Sequence, residues 1–537
     1  MAGKLSENDA TPMAARAVPP TVRRGLPVTV VAAPPVDGAR VVGPAAGPTA
    51  IDAVRIALSC AVMDKRSGSA DLAAILRSEL NRYSIGEKLP SSRALMERHH
   101  VSPVTVSRAI AALVADGLVV SRPGAGVYRA EPRGPLAPVG DTSWQEVALS
   151  AEQGLSSDRG ADAASVLRSL AVMPPEVVDL NGGYLHPSLQ PERAMAAALS
   201  RAGRRPGAWA RPPMEGLAEL RAWFARDIGG AVATSDVLVN GGGQSALTTA
   251  LRSLVVPGAP VLVESPTYPG LIAIARSAGL RPVPVPMDGE GVRTDLLADA
   301  FAATRARAFV CQPLFQNPTG TVLSPQRRVE VLRIARAAGA FVIEDDFARR
   351  LVHADAPALP AALAADDPDG VVVHIRSLTK PTSPSLRVGA ITAHGPAFER
   401  LRAVQAVDNL FVPRPLQETA LELVGAQAWP HHLRTLAVAL RDRRQVLAGA
   451  LERLLPESLP ARLPYGGYHL WLRMPDGCDI GALTSAALRE GVAVTPGDAY
   501  FTAEAPAPFV RLGYAYAENS ESLVQGAERL HRALCSG

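Results

Sequence analysis

Ser377-Leu378-Thr379-Lys380-Pro381-Thr382-Ser383-Pro384-Ser385-Leu386-Arg387 follows directly on a strand-sized apolar run, Val371 to Arg376. Its lysine is conspicuous. The chain has 55 lysines and arginines, but only four are lysines: Lys4, Lys65, Lys88 and Lys380. Arginine stays protonated and delocalised and cannot form a Schiff base. A lone lysine kept in an arginine-rich stretch points to amine chemistry, with chance retention as the bland alternative.

Working outward, strand-like runs recur at Val237 to Asn240, Val261 to Glu264, Ala308 to Gln312, Phe341 to Glu344, Val371 to Arg376 and Val388 to Thr392. Amphipathic helical spacing lies between them, for example over Gln326 to Ala338. Alternation of this kind predicts an α/β domain on a largely parallel sheet, with ligands beyond the carboxyl ends of the strands. We assign residues 176–424 to this large domain and residues 425–537 to a smaller α+β domain.

Further toward the N-terminus the pattern changes. Asp71 to Tyr83, Ser91 to His99 and Ser102 to Ala115 carry helical periodicity. Two short strands joined by Arg122-Pro123-Gly124-Ala125-Gly126 follow, which completes the outline of a winged helix-turn-helix over residues 67–131. Ser91 and Ser102 suit helix N-caps, and Pro103 the first helical position. The N-terminal side chains of the third helix then point outward, as a major-groove reader requires. Residues 1–66 read as a disordered extension with at most a helix near Ile51 to Val62, and residues 132–175 as a polar linker.

Bulk properties set the outer bounds. At 537 residues the chain exceeds one compact core, which predicts two to four domains. Hydrophobic residues make up 47%, yet no apolar run reaches membrane-span length. No secretory signal is read at the N-terminus. Cys60, Cys311, Cys478 and Cys535 lack paired ligand spacing, which predicts reduced thiols, a cytoplasmic location and no metal site. A net charge of +4 leans mildly toward polyanions.

Several motifs sit just past the predicted strands. Asn240-Gly241-Gly242-Gly243-Gln244-Ser245-Ala246 opens a helix, where glycines admit a phosphate to free N–H donors. Glu264-Ser265-Pro266-Thr267-Tyr268-Pro269-Gly270, Gln316-Asn317-Pro318-Thr319-Gly320 and Glu344-Asp345-Asp346-Phe347 follow in turn. Residues 178–537 thereby resemble the class I aminotransferases, the fold type I enzymes of pyridoxal 5′-phosphate (PLP).

The resemblance implies that Lys380 bears the cofactor as a Schiff base and that Asp345 pairs with the pyridinium nitrogen. It further implies that Asn317 meets the phenolic oxygen and that Tyr268 stacks on the ring. Gly242, Gly243, Gln244, Ser377 and Arg387 would then hold the phosphate end. Arg511, in Val510-Arg511-Leu512-Gly513-Tyr514, matches the arginine that forks onto a ligand carboxylate. Arg211 stands where many relatives place a tyrosine that reaches the neighbouring subunit's phosphate, which implies a homodimer. Position 347 departs from the pattern, since relatives carry a tyrosine there and Phe347 has no donor.

Gly86-Glu87-Lys88-Leu89-Pro90-Ser91-Ser92-Arg93, with Val101-Ser102-Pro103-Val104-Thr105-Val106-Ser107-Arg108 and the glycine turn, resembles the GntR-type winged helix. This implies contact with double-stranded operator DNA through Ser102, Thr105, Ser107 and Arg108, with Arg93 on the backbone and Arg122 and Gly124 in the wing. Pro103 replaces a common arginine. A helical bundle used for protein contact is the alternative.

Joined, the two halves resemble the MocR/GabR family of transcription regulators. That resemblance implies a regulator sensing an amino acid or amine, or PLP itself, through an external aldimine at Lys380. A working aminotransferase with an appended DNA-binding domain is the other reading.

Overall fold

The computed structural model describes residues 71–131, 144–145, 163–164, 166–168 and 170–536. The expected extension over residues 1–66, including the helix near Ile51 to Val62, lies outside the described residues, as does most of the expected linker. The chain divides into two compact units, Met1–Thr142 and Ser143–Gly537.

In the first unit, α1 covers residues 71–79, α2 Ser92–His99 and α3 Pro103–Ala115. Ser91 Oγ accepts from the Ala94 N–H at 3.2 Å, and Ser102 Oγ from the Thr105 N–H at 3.2 Å, so both expected caps form. Val106, Ala109, Ile110 and Leu113 recur on one face of α3 and bury against Leu72, Leu76, Leu80, Leu95 and Val119. β1 (Val119–Arg122) and β2 (Gly126–Arg129) pair antiparallel, and Lys88 bridges to Tyr128. At the hairpin tip Gly124 has φ +74°, in the left-handed region that a side chain would resist.

The second unit opens with the short β3 (Val178–Asp179) and is built on an eight-stranded sheet. Its strands are β4 (Val237–Asn240), β5 (Pro260–Ser265), β6 (Arg281–Asp288), β7 (Gly291–Val292), β8 (Ala308–Cys311), β9 (Phe341–Asp345), β10 (Val372–Ser377) and β11 (Gly389–Thr392), in the order β4-β11-β10-β9-β8-β5-β6-β7. The six expected strands are all present, and the sheet is mixed because β11 runs against both its neighbours. Residues alternate between two cores. Val239, Leu262, Phe309 and Val342 face one, while Leu238, Val263, Val310 and Ile343 face the other.

β6 was not among the expected strands, and it carries Pro282, Pro284 and Pro286, residues that disfavour a strand. Alternate residues of a strand send their N–H groups to the same side, so these prolines blank only the side away from β5. That side meets just the two-residue β7, through Met287 and Asp288.

A third core lies around the three-stranded sheet of β12 (His469–Arg473), β14 (Thr495–Pro496) and β15 (Phe509–Gly513), while β13 (Val492–Ala493) pairs parallel with β3. Leu180 and Leu185 bury in this third core, so the start of the expected large domain packs with the C-terminal part. The helix Ala428–Leu454 joins the two, burying Trp429 in the first core and Leu436 to Leu451 in the third.

Parallel pairing does the positioning. β10, β9, β8 and β5 end at one edge, with Ile375 opposite Asp345 and Cys311 opposite Glu344. The residues just past these strands are therefore brought together despite wide separation in sequence.

Candidate cofactor site and DNA-contact surface

A cavity of about 630 Å³ opens at that edge. Lys380, Gly243, Gln244, Tyr268, Asn317, Asp345, Ser377, Arg387 and Arg511 all line it, and Gly242 lies directly behind Arg387. Lys380 Nζ donates to the Gly183 carbonyl at 2.8 Å and lies 4.2 Å from the centre of the Tyr184 ring. Burial lowers the amine to about 8; Arg511 and Arg387 push the same way, against Tyr184 and Asp345. A neutral amine is a nucleophile, so this lysine is suited to attack a carbonyl near neutral pH.

Asp345 is buried at the end of β9. Its Oδ2 accepts from Gln312 Nε2 at 2.7 Å, and its Oδ1 has no protein partner. Burial, reinforced by the neighbouring Asp346, raises this carboxyl to about 6, against the Gln312 hydrogen bond and Lys380. Asn317 is similar: its N–H donates to Gln312 Oε1 at 3.0 Å, and its own Oδ1 is buried and unpartnered. Such atoms cost free energy unless something meets them.

At the other end of the cavity, the helix Gly243–Leu254 presents its N-terminus beside Ser377 and Arg387. Gly242 has φ +94°, and a Cβ there would sit 3.2 Å from the Arg387 guanidinium. A side chain would thus be strained and would crowd the one cation at this end. No carboxylate pairs with Arg387 among the described residues, which leaves an anion-binding corner of arginine, hydroxyl and free N–H groups. Tyr268 closes one wall, its hydroxyl donating to Gln244 Oε1 at 3.0 Å.

Arg511 is buried on β15. Its guanidinium reaches the Asn181 and Gly182 carbonyls at 3.4 Å and Thr495 Oγ1 at 3.3 Å, with Nε unpartnered. Burial opposes its charge, but the phenols of Tyr500 and Tyr468 outweigh that and keep it protonated. Among the described residues Arg511 makes no ion pair; Asp179, held by the Asn181 and Gly182 N–H groups, feels its charge at longer range, and a guanidinium so placed has the geometry to fork onto a carboxylate.

Nearby, Glu344, Asp346 and His374 gather within 4.8 Å of one another. His374 Nδ1 meets Glu344 Oε2 at 2.7 Å, and Asp346 lies between Arg349 and Arg376. These acids are already compensated by an imidazole and two guanidinium groups, which makes a poor dication site.

On the first unit, Ser107 and Arg108 are exposed on α3, and Arg122 is exposed on the wing with its guanidinium 4.7 Å from the centre of the Tyr128 ring. Ser102 is half-buried as a cap, and Arg93 is exposed but paired with Glu97 at 3.1 Å. Thr105 is a correction. Its side chain is 7% exposed and its hydroxyl lies 2.8 Å from the Ser102 hydroxyl, so it braces the cap and does not face outward. Val104, which sequence reasoning passed over, is 55% exposed beside Ser107 and Arg108.

Residues 175–530 match the family described as aminotransferase class I and II, and residues 69–128 match the gntR family of bacterial regulatory proteins. The chain belongs to the class I and II aminotransferase family. With the GntR module ahead of that domain, it is of the MocR/GabR type. It is 32% identical over 392 residues to 2-aminoadipate transaminase of Thermus thermophilus, covering 72% of this chain and 98% of the relative. It is 28% identical to the HTH-type transcriptional regulator TauR of Rhodobacter capsulatus, over 84% of this chain and 93% of the relative. Among solved structures it resembles LysN, the alpha-aminoadipate aminotransferase of Thermus thermophilus complexed with N-(5′-phosphopyridoxyl)-L-leucine. The TM-score is 0.64 at 30% identity, over 70% of this chain and 97% of that one. Pyridoxal phosphate is the cofactor of this domain.

Two positions of this MocR/GabR-type chain differ from what the resemblance implied. Phe347 is buried on the cavity wall, its ring edge-on to Tyr468 at 6.2 Å, so an apolar contact stands where a phenol was anticipated. Arg211 is exposed and does not line the cavity. Sequence reasoning also missed Gln312, Tyr184 and Tyr468, which carry no local motif, and Val166, Leu170 and Met173, which line the cavity from within the expected linker. Among the described residues no helix is long and apolar enough to cross a membrane.

Proposed function

We propose that this protein is a cytoplasmic, homodimeric transcription regulator that binds operator DNA through its N-terminal unit and senses an amino acid or amine at Lys380. The observation that carries the reading is one chain holding a capped, outward-facing α3 and a cavity lined by both Lys380 and the buried Arg511, which makes no ion pair among the described residues.

The residues present fit PLP. Asp345 Oδ1 and Asn317 Oδ1 are buried without partners, and the corner at Gly242, Gly243, Ser377 and Arg387 suits a phosphate. Bound there, the cofactor supplies an aldehyde for amine capture and a ring that withdraws electrons. In this reading Asp345 holds a proton on the pyridine side, Asn317 holds the phenolic oxygen, and Tyr268 covers the ring. Arg511 orients the ligand carboxylate through a bidentate fork. Arg211, exposed on its own subunit, reaches toward the partner's phosphate. Ser107, Arg108, Arg122 and Gly124 contact DNA.

Borohydride reduction of the cofactor-loaded protein, followed by proteolysis and mass mapping, tests the attachment. The expected product is a pyridoxyl group on the Lys380 peptide; reduction that labels only Lys4, Lys65 or Lys88 contradicts it.

The relationship to 2-aminoadipate transaminase favours a second reading, a working aminotransferase. Incubation with an amino acid panel separates the two: steady keto-acid release supports the enzyme, and binding without release supports the regulator.

A further inference from the structure

We infer that Gln312 is a positioning residue whose single buried amide ties together the two cofactor-facing groups, Asp345 and Asn317. This rests on the roles proposed above for those two residues.

Gln312 follows β8 and is buried on the cavity wall. Its Nε2 donates to Asp345 Oδ2 at 2.7 Å, while its Oε1 accepts from the Asn317 N–H at 3.0 Å. Its own N–H is held by Glu264 Oε2 at 3.0 Å, and the same oxygen accepts from Gln316 Nε2 at 3.3 Å. The amide is thus fixed from behind and engaged at both ends.

Only a side chain with a donor and an acceptor on one rigid plane can do this. Glutamate lacks the donor, and an apolar residue lacks both. With Oδ2 occupied, Asp345 turns its other oxygen to whatever enters, and Oδ1 is the atom without a protein partner. With its N–H occupied, Asn317 is fixed at the head of its turn, and its Oδ1 is likewise unpartnered. Asp345 lies on β9 and Asn317 on the loop after β8, and among the described residues the hydrogen bonds that link the two run through Gln312. A mere filler of this volume would not need its amide satisfied at both ends, whereas a buried amide left unpaired is costly.

Asp345 is also faced by Asp346 just past its own strand, His374 on β10 and Lys380 beyond it. Glu264 on β5, Tyr268 and Tyr468 complete its charged and titratable surroundings, with Cys311 behind. Among the described residues the one hydrogen bond to the Asp345 carboxylate comes from Gln312.

The test uses the full, cofactor-loaded protein and three variants, Gln312→Met, Gln312→Glu and Asp345→Asn. The pH midpoint of the visible absorbance of the Lys380-bound cofactor is read alongside PLP affinity. Without the amide donor Asp345 holds its negative charge less well, the ring nitrogen loses its proton more easily, and electron withdrawal weakens. The midpoint should rise by about one pH unit in both Gln312 variants, with PLP affinity falling about tenfold. Gln312→Glu keeps the acceptor for Asn317, so it carries the test if Gln312→Met fails to fold. Unmoved midpoints in the Gln312 variants with a shifted midpoint in Asp345→Asn overturn the bridge alone. Unmoved midpoints in all three overturn the placement of Asp345 and the bridge with it.

Discussion

Asp345 shows how a single residue sets a pH dependence. Its carboxyl is raised to about 6, mainly by burial and then by Asp346, so below that pH the folded protein without cofactor keeps a proton that the unfolded chain releases near 3.8. Stability from this group is full below 3.8 and is lost as pH climbs through 6, since the native state then carries an ionised buried acid. Asp345→Asn should therefore stabilise the cofactor-free protein by roughly 2 kcal/mol at pH 7 and leave it unchanged below pH 4. Thermal unfolding across that range checks this, and an equal change at every pH would assign the effect to packing. Lys380 carries a kinetic counterpart. With its amine lowered to about 8, chiefly by burial, the rate of PLP capture by the cofactor-free protein should rise through pH 8 and level off above it. A midpoint near 10 in stopped-flow absorbance would mean the amine is not held neutral.

At the scale of elements, α3 separates stability from contact. Ser102 caps it and pairs with Thr105, so Ser102→Ala should lower the stability of the first unit by about 1 kcal/mol in denaturant titrations. Arg108 is exposed and makes no ion pair among the described residues, so Arg108→Ala should leave folding unchanged while weakening DNA binding and reducing the salt slope by about 1. Unchanged DNA affinity would remove α3 as the reader. Legibility follows the same physical lines. Apolar runs alternating with helical stretches exposed the six central strands, and Gly, Asn-Pro and Lys–Arg signals marked the edge where their ends meet. β6 escaped because proline argues against a strand, and here only one side of the strand lacked donors. Thr105 was read as outward because helical phase alone does not reveal a hydroxyl drawn back to a cap. Gln312 was silent because an amide acquires its role only when β8 and β9 lie side by side. The burial of Arg511 without an ion pair among the described residues was equally a matter of three dimensions.

At the scale of the whole molecule, the account joins a DNA-contacting unit and a ligand-capturing unit in one chain of net charge +4. A ligand can shift DNA affinity only by as much as it distinguishes the DNA-competent state from the other. In the proposed reading Lys380 and Arg511 are the two groups whose engagement changes when an amino acid enters, so they should carry that difference. The direct measurement is fluorescence anisotropy of the full, PLP-loaded protein on a duplex from the region upstream of its own gene, at fixed salt. Affinity is read with and without an amino acid that alters the cofactor absorbance, for the wild type and for Lys380→Ala. The account predicts a shift of about fivefold or more in the wild type and none in Lys380→Ala. A wild-type affinity unmoved by a ligand that binds, or an equal shift in Lys380→Ala, would contradict it.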